Sequence, residues 1–271
     1  MPDLWTDLLA CLDLSPVSES DDGALRVFHG ANQKLEYHRV FGGQILGQFI
    51  EAARVTCPGK SVKSLHSLFP REGRADEPIT YEVRRQHEGR TFATLSITAS
   101  QSSGIIATAA VSMHAAEDGR EHQETEPVPT PLGPEHTLAI DMIPWEIRAT
   151  GDLNDDGVAP ARFEMWMQTP DVDPALAPAL TAYATDLTLI GTALQPIDGV
   201  NQRGNGTTFT SAVTSHTLWF HRPFRTDQWL LLRQHSPIVA HGRTFGRGDV
   251  LAEDGGLVAS YAQEALVRFR G

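Results

Sequence analysis

The chain runs to 271 residues, of which 41% are hydrophobic and 21% charged, and its formal net charge is −12. That apolar content can bury one large core or two ordinary ones, which excludes a mainly disordered chain. The acid excess excludes a nucleic-acid backbone or an anionic membrane surface as principal partner, because both demand concentrated Lys and Arg.

Residues 1–5 lack the basic start and apolar core of an export signal, and no run approaches the ~18 apolar residues of a spanning helix. The expected compartment is the cytoplasm. The two cysteines, Cys11 and Cys57, lie too far apart in sequence for a CxxC pair and too few for a disulfide framework.

In chain order, residues 4–14 place apolar side chains three and four apart and read as a short amphipathic helix. Residues 41–55 are apolar around most of a helical circumference, the mark of a buried helix, and Pro58-Gly59 ends it. Strand character follows at 62–69, 79–85, 92–101 and 105–114, with turn signals at Glu88-Gly89 and Ser102-Ser103-Gly104 between them. An acidic stretch punctuated by Pro127, Pro129, Pro131 and Pro134 then reads as a linker.

Beyond it the order returns, with a helix expected over 178–194 and strands at 211–220, 229–236, 244–252 and 257–267. Gly89-Arg90-Thr91-Phe92 recurs as Gly242-Arg243-Thr244-Phe245, and Gly104-Ile105-Ile106-Ala107-Thr108 matches Gly256-Leu257-Val258-Ala259-Ser260. His66-Ser67-Leu68-Phe69 against His216-Thr217-Leu218-Trp219 adds a third anchor and sets His66 and His216 at equivalent positions. The chain therefore reads as an α+β duplication, each copy a buried helix wrapped by an antiparallel sheet. The expected boundaries are 1–116 for the first copy, 117–160 for the linker and 161–271 for the second.

Negative searches narrow the chemistry. There is no GxSxG elbow and no GxxxxGK[ST] phosphate loop, and Gly204-Asn205-Gly206 lacks the following glycine of a dinucleotide fingerprint. No metal-ligand spacing accompanies His66, His216 or His221, which read as packing residues, so neither metal nor cofactor is expected. Arg222, Arg225, Arg243 and Arg247 are the densest positive charge in the second half, a surface cluster that could also meet phosphates.

Val-Phe-Gly-Gly-Gln at 40–44, Tyr183-Ala184-Thr185-Asp186-Leu187, Leu194-Gln195-Pro196, the block from His216 through Phe224 and Ala262-Gln263-Glu264 occur in one family's order. In these motifs the chain resembles the type II acyl-CoA thioesterases, the TesB-like double-hotdog family. The resemblance implies two fused hotdog repeats, hydrolysis of fatty acyl-CoA to free acid and CoA, and a homo-oligomer. It also implies a water held by an Asp, a hydroxyl residue and a Gln.

On this chain the Asp falls on Asp186 and the Gln on Gln263. Val213 stands where the hydroxyl belongs, and Ser215 where an Asp is usual, which leaves Thr214 and Ser215 as the nearest substitutes. Strand alternation sets Ser215 on Val213's face and turns Thr214 away unless a bulge intervenes. Aligning the last strands through Gly104 and Gly256 sets Val111 opposite Gln263, so the second copy is expected to carry the chemistry.

An aspartate is ordinarily ionised at neutral pH and can accept a water proton, while an amide both donates and accepts. Gly42-Gly43, at a helix start, could let a substrate approach N–H groups closely. The rival function is an acyl-CoA-binding or sensing protein without turnover. Dehydration chemistry is disfavoured, because hotdog hydratases carry a His five residues after the Asp and here that position is Gly191.

Overall fold

A computed structural model of the chain describes residues 3–37 and 39–270. Contacts divide it into two units, one of residues 1–122 with 175–184 and one of 123–174 with 185–271. Each carries two strands, a helical segment and four further strands in that order.

The first unit opens with α1 (Leu4–Leu12), whose N-cap Asp3 accepts the Thr6 backbone N–H at 2.9 Å. Strands β1 (Ser15–Glu19) and β2 (Leu25–Gly30) follow, then the buried helix α2 (Gly42–Thr56) and strands β3 (Ser61–Leu68), β4 (Ile79–Glu88), β5 (Phe92–Gln101) and β6 (Gly104–His114). All are antiparallel, in the order β1-β2-β4-β5-β6-β3. Alternate residues of β5 and β6 turn inward, so Leu95, Ile97, Val111 and Met113 meet Leu46, Phe49 and Ile50 of α2 in one core.

A polar cluster is sealed inside this unit. Tyr81 donates to Gln48 Oε1 at 2.6 Å, Gln48 Nε2 donates to the Cys11 and Ala31 carbonyls, and Tyr183 donates to Gln33 Oε1 at 2.8 Å. Buried amides and phenols satisfied in this way fix one packing of α2. Cys11 and Cys57 are both buried and unbridged.

The second unit holds β7 (Glu146–Ala149), β8 (Arg162–Gln168), the end of α3 (Ala177–Thr185), α4 (Leu189–Leu194) and strands β9 (Phe209–Phe220), β10 (Leu230–Ala240), β11 (Arg243–Ala252) and β12 (Leu257–Phe269). Their order is β9-β12-β11-β10-β8-β7, the mirror in sequence of the first unit's. Irregularities recur as well. The β3–β6 ladder slips between Val62 and Ser64 and the β9–β12 ladder between Val213 and Ser215, while β5–β6 and β11–β12 slip at Ala99/Ser100 and Val250/Leu251. Shared bulges at matching places are what a duplicated unit retains.

Two expectations change. The helix expected over 178–194 is two helices, interrupted at residues 186–188, and the stretch expected as linker contains β7, which pairs with β8. The register also separates the two histidines. Leu65 pairs with Val111 and His216 with Gln263, so Leu65, not His66, is the counterpart of His216. His66 faces outward and is exposed whereas His216 is fully buried, since a slip of one residue exchanges the faces of a strand.

Candidate active site

Asp186 occupies the break between α3 and α4. The helix ends at Thr185 and resumes at Leu189 with Thr188 as N-cap, so Asp186 lies in a turn outside the regular hydrogen-bond ladder. Two side-chain contacts hold the ends of that turn. Thr185 Oγ1 lies 3.1 Å from His216 Nε2, and Gln234 Nε2 donates to Thr188 Oγ1 at 2.5 Å. Thr192 completes the second contact, donating to Gln234 Oε1 at 3.2 Å.

Gln263 and His216 are ladder partners on adjacent strands and share the inward face. The Asp186 carboxylate reaches the same place, Oδ1 lying 3.7 Å from His216 Nδ1. Asp186 is 5% exposed, Gln263 3% and His216 0%, so the group is shielded from bulk water. Both side-chain polar atoms of Gln263, and Nδ1 of His216, lack a hydrogen-bond partner among the described residues. Burying an amide unmet costs ~1–3 kcal/mol, and such a cost persists where a ligand or water completes the bonding.

Burial pushes the His216 imidazole down to about 3, the neighbouring Gln263 amide opposing the shift only in part. The ring is therefore neutral at physiological pH and stacks parallel to Tyr261, with centroids 6.1 Å apart. On the other side of Gln263 stands Gly246, where a Cβ would meet Leu189 Cδ2 at 2.8 Å. The missing side chain lets Leu189 of α4 lie down on β11.

One row across the two sheets shows what the second copy changed. In the first unit it reads Leu65, Val111, Leu95, all buried and apolar, and in the second His216, Gln263, Gly246. Apolar packing has been exchanged for an imidazole, an amide and a gap.

The bulge at Thr214 decides the two substitute hydroxyls. Val213 faces Ala265 on the inner side while Ser215 is paired with Glu264, whose side chain reaches Arg243 at the surface, so Ser215 does not share Val213's face as simple alternation requires. Thr214 Oγ1 donates to the Glu264 carbonyl at 3.0 Å. The hydroxyl found against His216, which the sequence reads as a packing residue, is that of Thr185, to which the sequence reading gives no role. The adjacency of Thr185 to Asp186 was the available signal.

Gly42 and Gly43 open α2 behind an N-cap, Phe41, that makes no side-chain hydrogen bond. At Gly43 a Cβ would stand 2.5 Å from the Tyr183 carbonyl and from the Phe41 ring, so its absence is required by helix packing inside the first unit. The arginines divide. Arg225 pairs with Asp227 and Asp171, Arg243 pairs with Glu264, and Arg222 donates to Gln123 Oε1. Arg222 and Arg225 line a cavity of about 620 Å³ with Phe224 and Trp229.

Residues 34–114 match the model of the acyl-CoA thioesterase N-terminal domain and residues 116–267 that of the C-terminal domain. The chain belongs to the acyl-CoA thioesterase family. Acyl-CoA thioesterase 2 of Haemophilus influenzae is 31% identical, the match covering 99% of both proteins. Human acyl-coenzyme A thioesterase 8 is 28% identical over 96% of this chain and 88% of the relative. Among solved structures, acyl-CoA thioesterase II TesB2 from Mycobacterium marinum superposes with a TM-score of 0.78 at 30% identity, covering 97% of this chain and 99% of that one. A hot dog fold protein from Alicyclobacillus acidocaldarius, 17% identical with a TM-score of 0.74 over 97% of this chain and 98% of its own, shares the fold. The architecture is an α+β double hotdog.

Proposed function

We propose that this protein hydrolyses fatty acyl-CoA to free fatty acid and CoA, using a water molecule steered by Asp186 and Gln263. A thioester carbonyl is already activated, so the reaction needs an oriented water and an acceptor for its proton. Asp186 accepts that proton as the water oxygen bonds to the carbonyl carbon. Gln263 orients the water, accepting from one of its O–H groups through Oε1. The tetrahedral oxyanion then collapses, the C–S bond breaks, and the departing CoA thiolate takes up the proton, which leaves the carboxylic acid and the thiol.

What carries this reading is Gln263, a buried amide whose polar atoms meet no hydrogen-bond partner among the described residues, paired across the ladder with His216, whose ring lies 3.7 Å from the Asp186 carboxylate, where the first copy has Val111. The test is release of free thiol from butyryl-, decanoyl- and palmitoyl-CoA by the full chain. Turnover is expected on at least one of them, and Asp186→Asn is expected to lower it at least ~10-fold, equivalent to ~1.4 kcal/mol of barrier. Tight binding of all three with no thiol released would favour an acyl-CoA-binding protein and end the hydrolytic reading. A fully active, folded Asp186→Asn variant would remove Asp186 from the mechanism.

A further inference from the structure

His216 joins three elements at one point. Its Nε2 meets Thr185 on the last turn of α3, its Nδ1 faces the Asp186 carboxylate at 3.7 Å, and its ladder partner on β12 is Gln263. The ring is fully buried and lies parallel to Tyr261, so it has no freedom to swing outward. A neutral imidazole carries one donor and one acceptor. Assigning Nε2 as the acceptor of the Thr185 hydroxyl places the proton on Nδ1, the nitrogen 3.7 Å from the Asp186 carboxylate. Hydrogen bonds of catalytic groups are commonly long without substrate and shorten once it binds.

We propose that His216 is a positioning residue of the hydrolytic site, with Thr185 fixing the ring through Nε2 and Nδ1–H holding the Asp186 carboxylate toward Gln263. The inference rests on the role given above to Asp186. Packing alone does not account for an imidazole here, because the corresponding residue of the first unit, Leu65, fills the same inward position with an apolar side chain. Acting as a neutral donor, His216 orients Asp186 without competing for the proton that Asp186 takes from water. A charged lysine or arginine at the same position would hold the carboxylate more strongly and weaken it as a base.

The test separates the two nitrogens. In His216→Asn the amide nitrogen falls near the place of Nδ1, in His216→Gln near that of Nε2, and His216→Leu copies the residue of the first unit. Steady-state thiol release by the full chain is expected to show kcat within ~10-fold of the parent for His216→Asn. For His216→Gln and His216→Leu kcat falls ~100-fold, with KM within ~3-fold in all three, the size of loss seen when one preorganised donor is removed. Thr185→Ser is expected to keep the rate that Thr185→Val loses.

Melting temperatures of the three His216 variants guard against a folding explanation. Equal kcat for the Asn and Gln variants at equal stability, or parent-like kcat for His216→Leu, would overturn the proposal. In an Asp186→Asn background His216→Leu is expected to add less than ~3-fold, and a full additional loss would show that His216 acts elsewhere. If Asp186→Asn alone leaves the rate untouched, it is the hydrolytic role of Asp186 that falls.

Discussion

Gln263 and Val111 occupy the same place in two copies of one strand, each flanked by two inward residues of its own sheet. Val111 is enclosed by Leu65 and Leu95, Gln263 by His216 and Gly246. The two copies share strand order and the bulges that flank this row, so along the row itself the difference lies in the side chains. A second copy of a stable scaffold can carry an unsatisfied amide because the rest of its sheet is packed as the first copy's is.

Gln263→Leu should therefore separate stability from activity. The substitution removes two buried polar atoms that lack partners and supplies an apolar side chain of similar volume. Stability is expected to rise by about 1–2 kcal/mol while thiol release falls at least ~100-fold. Urea unfolding and a steady-state assay on the same preparation measure both. A marked loss of stability would mean that the Gln263 amide bonds to the fold itself.

The pH dependence of stability should carry the imprint of His216. Its pKa of about 3 in the folded protein lies below the ordinary 6.5 because burial disfavours the charged ring. Above 6.5 the ring is neutral in both states and its contribution is complete. As pH falls below 6.5 the unfolded chain takes up a proton that the folded chain refuses, so stability is lost through the window from 6.5 to 3, by up to about 1.4 kcal/mol per pH unit. Denaturant unfolding at pH 7, 6 and 5 should show a shallower decline for His216→Asn than for the parent. His221, also depressed by burial, is present in both proteins and cancels in the difference.

Strand alternation made most of the fold legible. β5 lies at 92–101 as the sequence predicts, because inward Ala93, Leu95, Ile97 and Ala99 alternate with more polar neighbours. β1 escaped because all five of its residues are exposed and no alternation marks it. The break at Asp186 escaped because Leu187, Leu189 and Ile190 continue the apolar pattern of the helix across it. His216 was masked by a chance four-residue likeness to the His66 segment, which aligned the strands one residue away from their true register. The bulges at Lys63 and Thr214, where the ladders slip, are invisible to hydropathy.

Gly43 offers a test of packing inside the first unit. In Gly43→Ala the new methyl would collide with the Tyr183 carbonyl, a backbone atom that can yield only if α3 moves away from α2. Overpacking of this kind costs about 1–3 kcal/mol. A melting temperature lower by about 2–12 °C is expected, at ~2–4 °C per kcal/mol for a domain of this size. An unchanged melting temperature would show that the two helices separate freely.

Gln234 stands on the far side of the helix break from His216, and its substitution tests whether Asp186 depends on both anchors. The amide spans the first turn of α4, donating to Thr188 Oγ1 at 2.5 Å and accepting from Thr192 Oγ1 at 3.2 Å, all three side chains being buried. Thr192 has a second acceptor, the Thr188 carbonyl at 2.9 Å, so it survives the loss of Gln234. In Gln234→Leu the Thr188 hydroxyl loses the amide that donates to it, a cost of about 1–3 kcal/mol. The start of α4 is then held less firmly two residues after Asp186, and kcat should fall ~10-fold with KM little changed, since a carboxylate displaced by a fraction of an ångström no longer aligns the water. Amide hydrogen exchange over residues 185–190 should quicken in the same variant. Gln234→Glu is the control, because a carboxylate accepts from both hydroxyls. Recovery of slow exchange and of kcat in that variant would assign the effect to the anchor. Slow exchange recovered without kcat would place the loss of rate outside it.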